Sequence, residues 1–198
     1  MSVLVLASAS GIRARLLREA GVRFGVRPPD VDEPALKIAL RHNGVTNDAV
    51  ADALAEAKAV NVSTASPQAL VLGCDQVLVW EDRLFDKALD TTEARQILSF
   101  LRGKDHHLIT AAVLAENGQP VWRYQERATL HMRDCSEEFL NAYLKNEGKL
   151  VLGSVGCYHL EGRGAQLFDS VSGDIFCVLG LPLLPLLAAL RQRGIVAS

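Results

Sequence analysis

The sequence has little that would staple it, anchor it or attract partners by charge alone. Its four cysteines stand at 74, 135, 157 and 177. No two fall close enough to form a C-x-x-C redox or zinc unit. No apolar run reaches the roughly 18 residues that span a bilayer. The most hydrophobic stretch, 178–190, has 13 residues and two prolines, which predicts a buried helix or turn and no membrane partner. The chain begins MSVLVLASAS, with no basic residues ahead of the apolar ones. That predicts no secretory leader and, with unpaired thiols, a cytoplasmic setting. Neither sign of charge dominates: 21 Lys and Arg stand against 23 Asp and Glu, for a net -2. A general nucleic-acid backbone binder is therefore not expected, although a local basic pocket is compatible with the balance. The Walker A pattern and H-E-x-x-H are absent, and Gly153-Ser154-Val155-Gly156 lacks the G-x-S-x-G spacing. The histidines at 42, 106, 107, 131 and 159 show no zinc spacing.

What is present is a globular composition, 49% hydrophobic and 22% charged over 198 residues. Such a chain buries roughly 70% of its unfolded surface and needs no metal or disulfide to fold. The run 3–7 (VLVLA) predicts a buried strand, and Ile12, Leu16, Leu17 and Ala20 predict a helix closed at Gly21. A short strand is expected at 24–26, with Asp32-Glu33 left in a loop after Pro28-Pro29. Helices are expected at 35–42 and 48–60, and a loop at 61–68 (NVSTASPQ). The next strand, 69–73, is expected to end at Cys74-Asp75-Gln76, with extended chain again at 77–80 and a reversal at 81–83. Asp90-Thr91-Thr92-Glu93 is a capping box opening a helix to Gly103. Residues 107–115 and 121–132 read as a hairpin joined at Asn117-Gly118. Ser136 caps a short helix, and a last helix begins near Pro182. Alternating helices and strands argue an α/β fold, and the hairpin makes its sheet mixed. No repeat or linker appears, so a single domain over 1–198 is expected, with no boundary to place inside it.

Two carboxylates fall at breaks after apolar runs, Glu33 and Asp75. Open α/β sheets bind ligands beyond the carboxyl ends of their strands, and Mg²⁺ takes one or two carboxylates plus waters and phosphates. On position alone, ordinary loop carboxylates or helix caps are the favoured reading. Arg13 opens a helix directly after Ser8-Ala9-Ser10-Gly11. Free N–H groups there suit a phosphate, and a guanidinium fork matches phosphoryl oxygens; a solvated helix face is the plainer alternative. Lys58 and Lys87 taken singly read as surface residues. Cys74 and Cys177 read as small buried hydrophobes, not nucleophiles.

In order along the chain, these residues resemble one family. The motifs are LASAS (6–10) with Arg13, PPDVDE (28–33), EAK (56–58), GCDQV (73–77), DK (86–87), HHLIT (106–110), GSVGCYHLEGRGAQLF (153–168) and GDIFCVLGLPL (173–183). The chain resembles the Maf proteins, nucleoside triphosphate pyrophosphatases, essentially from end to end. The resemblance implies an elongated mixed β-sheet flanked by helices, with a cleft between two lobes, as in inosine triphosphate pyrophosphatases. It implies a homodimer, a divalent metal (Mg²⁺ or Mn²⁺), and hydrolysis of a nucleoside triphosphate to the monophosphate and diphosphate. Asp75 is then similar to the family's catalytic base, with Glu33 its partner acid; both are implied metal ligands. Arg13, Lys58 and Lys87 resemble the triphosphate-holding residues, with Ser8 and Ser10 beside them. Ile12, Gln76 and Glu161 fall where the subgroups differ. Gln76 and Glu161 resemble the 7-methyl-GTP type, and Ile12 matches neither type. A carboxylate at 161 accepts from guanine N1–H and the amino group, and would meet a carbonyl oxygen on thymine or uracil. The alternatives are a dTTP- or UTP-preferring enzyme, a nucleotide-binding regulator of cell division without turnover, and an RNA-binding module.

Overall fold

The first strand forms on a short apolar run. In the computed structural model, which describes residues 3–197, that run is β1 (Val3–Ala7), followed by α1 (Gly11–Glu19) and β2 (Phe24–Val26). Met1 and Ser2, on which the expectation about a leader partly falls, lie outside the described residues. Next come α2 (Glu33–His42), α3 (Asn47–Thr64), β3 (Ala69–Trp80), β4 (Arg83–Phe85) and α4 (Thr91–Leu101). The chain continues through β5 (Asp105–Glu116), β6 (Gln119–Met132), α5 (Glu137–Glu147), two 3₁₀ turns (148–153 and 163–167), β7 (Phe168–Ser172), α6 (Ile175–Val178) and α7 (Leu183–Gln192). The sheet order is β2-β1-β3-β5-β6-β7, with β4 on β3. β1 pairs in parallel with β2 and β3, whereas β3–β4 and β6–β7 are antiparallel. The fold is thus α/β with a mixed sheet flanked by helices.

The chain divides into two compact units: 1–76 with 110–126 and 180–198, and 77–109 with 127–179. Three of the four crossings fall inside β3, β5 and β6. That is why no linker marks a boundary in the sequence: the crossing residues read as strand, not as loop.

In the first unit, Ala7, Val62 and Val71 pack together under Val5 and Ala69. Helix α3 is rich in alanine, the strongest helix former, and buries Ala51, Leu54, Ala55, Lys58, Ala59 and Val62 on one stripe. The expected loop at 61–68 is helical as far as Thr64. Asn, Ser and Thr favour loops because their side chains compete for the backbone, but here other segments take up those groups. Asn61 bonds the backbone of Asp30, Ser63 Oγ accepts from Gly118 N, and Thr64 Oγ1 donates to the Val60 carbonyl. The β5–β6 turn matches its sequence signature: Asn117 and Gly118 have φ of 50° and 74°, the positive values a two-residue hairpin turn needs.

In the second unit, Leu78, Phe85, Leu98, Leu101, Leu130 and Leu140 lie in one apolar core. Asp90 caps α4 by accepting from Glu93 N, while Glu93 Oε2 accepts from Leu89 N, one residue before the box's usual donor. Strand β7 and helix α6 lie between the Ser136-capped helix and the last helix, where the sequence predicts no element. His106 is fully buried against Tyr158 and Phe168; its Nε2 lies 2.8 Å from the Tyr158 hydroxyl, and its Nδ1 has no hydrogen-bond partner among the described residues. Burial, with a smaller push from His107, lowers its pKa to about 4. The folded state therefore holds it neutral, and protonation of the unfolded chain draws stability away as pH falls through 6.5 toward 4. The expected loss is up to about 3 kcal/mol from this group. Urea melts across that window check it: His106→Gln flattens the slope, and an unchanged slope contradicts the assignment.

Candidate active site

The parallel pairing of β1 and β3 ends at Ala7 and Gly73. β1 then leaves the sheet through Ser8 and Ser10 into α1, while β3 runs on. Asp75 was expected at the end of a strand. It lies instead inside a continuous β3, two residues past the last β1 pair. The strand persists because β5 neighbours it on the other edge, and β4 joins it at Leu78–Trp80 further along. Asp75 therefore still stands at the carboxyl end of the parallel segment, the position at which such sheets bind ligands.

Gly73 brings the helix layer to it. A Cβ on Gly73 would lie 2.1 Å from the Ala55 carbonyl oxygen and 2.7 Å from Ala59 N. Helix α3 thus rests directly on the strand backbone, with alanines on the facing turn. That approach delivers Lys58 to Asp75, with Nζ 2.5 Å from Oδ1. Nζ also lies 2.9 Å from Glu33 Oε1. Lys58 and Asp75 are each only 6% exposed, and the Glu33 side chain is 42% exposed. An ammonium is thus held between two carboxylates, one buried and one open to solvent. Taking a lone charge out of water is costly, and opposite partners offset that cost.

Glu33 is not in a loop, as its place after two prolines suggested. It is the first residue of α2, whose N-cap Asp32 accepts from Ala35 N, with Pro34 in the first turn. An acidic first turn and an early proline are favoured by the helix N-terminus. The Asp32-Glu33-Pro34 order was thus itself a helix-start signal.

Arg13 is braced on three segments of the same unit. Its Nε donates to the Gly180 carbonyl at 2.7 Å, and its Nη1 to Ser8 Oγ at 3.2 Å and to the Cys74 carbonyl at 2.9 Å. Ser8 Oγ also accepts from Ser10 N. Ser10 is the N-cap of α1 but makes no side-chain cap bond, so the first-turn N–H groups there have no hydroxyl of their own. Ile12, half-buried, stands in that turn. Gln76 Nε2 donates to the buried Thr110 Oγ1 at 2.9 Å. Burial pushes the Cys74 thiol up to about 11, against the pull of Arg13 and Lys58. Cys74 is therefore a neutral thiol near neutral pH and not a nucleophile.

The structure thus gathers Ser8, Ser10, Ile12, Arg13, Glu33, Lys58, Asp75 and Gln76 in the first unit. Lys87 and Glu161 belong to the second: Lys87 is exposed just after β4, and Glu161 is exposed in the turn closed by Gly162 N on the His159 carbonyl. Sequence reasoning missed Thr110, the Gly180 carbonyl and the packing role of Gly73. The first lay in HHLIT and the third in GCDQV, but each was one polar or small residue among many. No group of three metal-ligating side chains occurs among the described residues. The oxygens nearest a divalent cation's chemistry are those of Glu33 and Asp75. Both bond one Nζ, so Oε1 and Oδ1 lie at most about 5.4 Å apart, the 2.9 and 2.5 Å contacts laid end to end. Two hard oxygens already gathered around one cation suit Mg²⁺ or Mn²⁺.

Comparison with known proteins agrees along the whole chain. The family of Maf-like proteins matches residues 3–193. A nucleoside triphosphate pyrophosphatase of Granulibacter bethesdensis is 49% identical over 190 residues, 96% of each chain. A 7-methyl-GTP pyrophosphatase of Brucella abortus is 46% identical over 190 residues, again 96% of each. Nucleoside triphosphate pyrophosphatase 1 of a Jannaschia species is 47% identical over 197 residues, the full length of both. A solved lipoprotein of Neisseria meningitidis aligns over 77% of this chain and 99% of its own at 18% identity and a TM-score of 0.28, too low to bear on fold or function. With a family match over 3–193 and relatives nearly half identical along their whole length, this chain belongs to the Maf family.

Proposed function

We propose that this enzyme hydrolyses nucleoside triphosphates between the α and β phosphates, and that Glu33, Lys58 and Asp75 form its reacting centre. One observation carries the reading. A buried lysine sits between a buried and an open carboxylate, in a chain whose relatives bear pyrophosphatase names. Glu33 and Asp75 would hold a divalent cation, which when bound would neutralise part of the triphosphate's charge and polarise the phosphoryl oxygens. Lys58 engages Asp75 at Oδ1, leaving Oδ2 to accept a proton from water. The water oxygen bonds to the α phosphorus, the bridging α–β bond breaks, and its electron pair leaves with diphosphate. Lys58 also meets the charge that develops on the transferring group. Arg13 holds the turn through Ser8 and offers the phosphates its remaining nitrogen, Nη2. The uncapped N-terminus of α1 supplies further donors, and Lys87 is a further phosphate-holding candidate.

For the base, Gln76 and Glu161 favour 7-methyl-GTP over dTTP and UTP, in keeping with the name of the Brucella relative. The proposed setting is the cytoplasm. All four cysteines are buried and in no disulfide, and no helix among the described residues is long and apolar enough to cross a membrane. A homodimer is proposed from family membership.

A diphosphate-release screen with Mg²⁺ and Mn²⁺ over common and methylated nucleotides tests the reading. Diphosphate without orthophosphate is expected, with kcat/KM for 7-methyl-GTP at least about tenfold above dTTP and UTP, or about 1.4 kcal/mol. Orthophosphate release, or no diphosphate from any nucleotide, overturns it.

A further inference from the structure

Glu33 is set in place by residues outside the reacting centre. The segment leading to α2 runs beside one stripe of α3 and touches it at three levels. Arg27 Nη1 donates to the Ala65 carbonyl and to Ser66 Oγ, at 3.0 and 2.9 Å. Asp30 exchanges two bonds with Asn61: its N–H donates to Asn61 Oδ1 at 3.0 Å, and Asn61 Nδ2 donates to its carbonyl at 3.1 Å. Glu33 then meets Lys58 at 2.9 Å. Positions 58, 61 and 65 are three and four residues apart, one face of a helix. Asp30 and Glu33 are likewise three apart on the segment.

The middle level is the most demanding chemically. One side chain must present a donor and an acceptor together, at the spacing of a backbone amide. Asn does this; Asp lacks the donor, and Ala lacks both groups. Because α2 begins at Glu33, fixing Asp30 fixes where the helix starts and where its first carboxylate points.

We propose that Asn61 is a positioning residue for the reaction, acting through Asp30 to hold Glu33 against Lys58. This rests on the reading of Glu33 as part of the reacting centre. Asn61 is exposed, so its loss leaves no cavity and is expected to leave the thermal midpoint nearly unchanged. Its effect falls on turnover instead, because misplacement at a reacting centre is costly.

The test is a double-mutant cycle on the full chain, read as kcat/KM for diphosphate release at saturating Mg²⁺. Asn61→Ala is expected to lower kcat/KM about tenfold, on the scale of two net hydrogen bonds. Asn61→Asp, nearly isosteric but lacking the donor, is expected to do no better. In a Glu33→Gln background, Asn61→Ala is expected to cost less than about twofold, since the group it positions is already disabled. An equal loss in both backgrounds, or no loss in the wild-type background while Glu33→Gln is impaired, overturns the proposal alone. A fully active Glu33→Gln removes the reading of Glu33 and the proposal with it.

Discussion

Asp75→Asn is expected to lower kcat/KM for diphosphate release by about 10²–10⁴-fold, the range a positioned general base contributes. The change keeps the shape of the side chain and an oxygen for Lys58 Nζ, which now lies 2.5 Å away. It removes the charge, the proton acceptor and one of the two anionic oxygens available to a divalent ion. The fold is expected to survive, because Glu33 still neutralises Lys58 from 2.9 Å. Replacing the ion-paired hydrogen bond by one from the ammonium to a neutral amide oxygen is expected to cost about 1–2 kcal/mol. Steady-state kinetics with a thermal melt on the same sample separate the two effects. A variant within threefold of wild type would remove Asp75 from the chemistry.

Gly73→Ala is expected to be nearly as damaging, by a different route. The added methyl would lie 2.1 Å from a carbonyl oxygen and 2.7 Å from an amide nitrogen of α3. Both are backbone atoms in a regular helix turn, so no side-chain rotation relieves the clash. Helix and strand must move apart, at about 1–3 kcal/mol or more for overpacking. Lys58 lies between Ala55 and Ala59 on that turn, so the same movement withdraws it from Asp75. A shift of about 1 Å at a reacting centre costs about 10²-fold. Gly11→Ala is the stability control, because a Cβ there meets nothing within 4 Å. Equal melting midpoints for Gly73→Ala and Gly11→Ala would show that the helix does not rest on Gly73.

Periodicity and turn chemistry carried the local structure well. Strands β1 and β2, the Asp90 and Ser136 caps and the Asn117-Gly118 hairpin have physical causes within a few residues of themselves. Where the reading went astray, the cause is distant in sequence. Asp75 looked like a strand end because Cys-Asp-Gln interrupts an apolar run, yet β3 continues with β5 on one edge and β4 joining further along. Residues 61–64 looked like a loop because their polar groups needed partners, and those partners are Asp30, Gly118 and Val60. The division into two units was illegible because it cuts through strands.

The candidate site was legible as residue types, through the order of its motifs, but not as an arrangement. Nothing in the spacing of 33, 58 and 75 says that one ammonium joins two carboxylates. That follows from a glycine on the strand and alanines on the helix, which let the two backbones meet. Arg13 likewise read as a phosphate ligand, and the structure shows it already holding Gly180, Ser8 and Cys74. Its side chain therefore braces the turn whatever else it binds.

In the proposed reaction water attacks the α phosphorus and Asp75 takes its proton. The most direct measurement runs the hydrolysis in ¹⁸O-labelled water with Mg²⁺ and weighs both products. One ¹⁸O is expected in the nucleoside monophosphate, none in the diphosphate, with loss of the labelled product in step with activity in Asp75→Asn. Label in the diphosphate, or labelled orthophosphate, would place the attack at another phosphorus and contradict it.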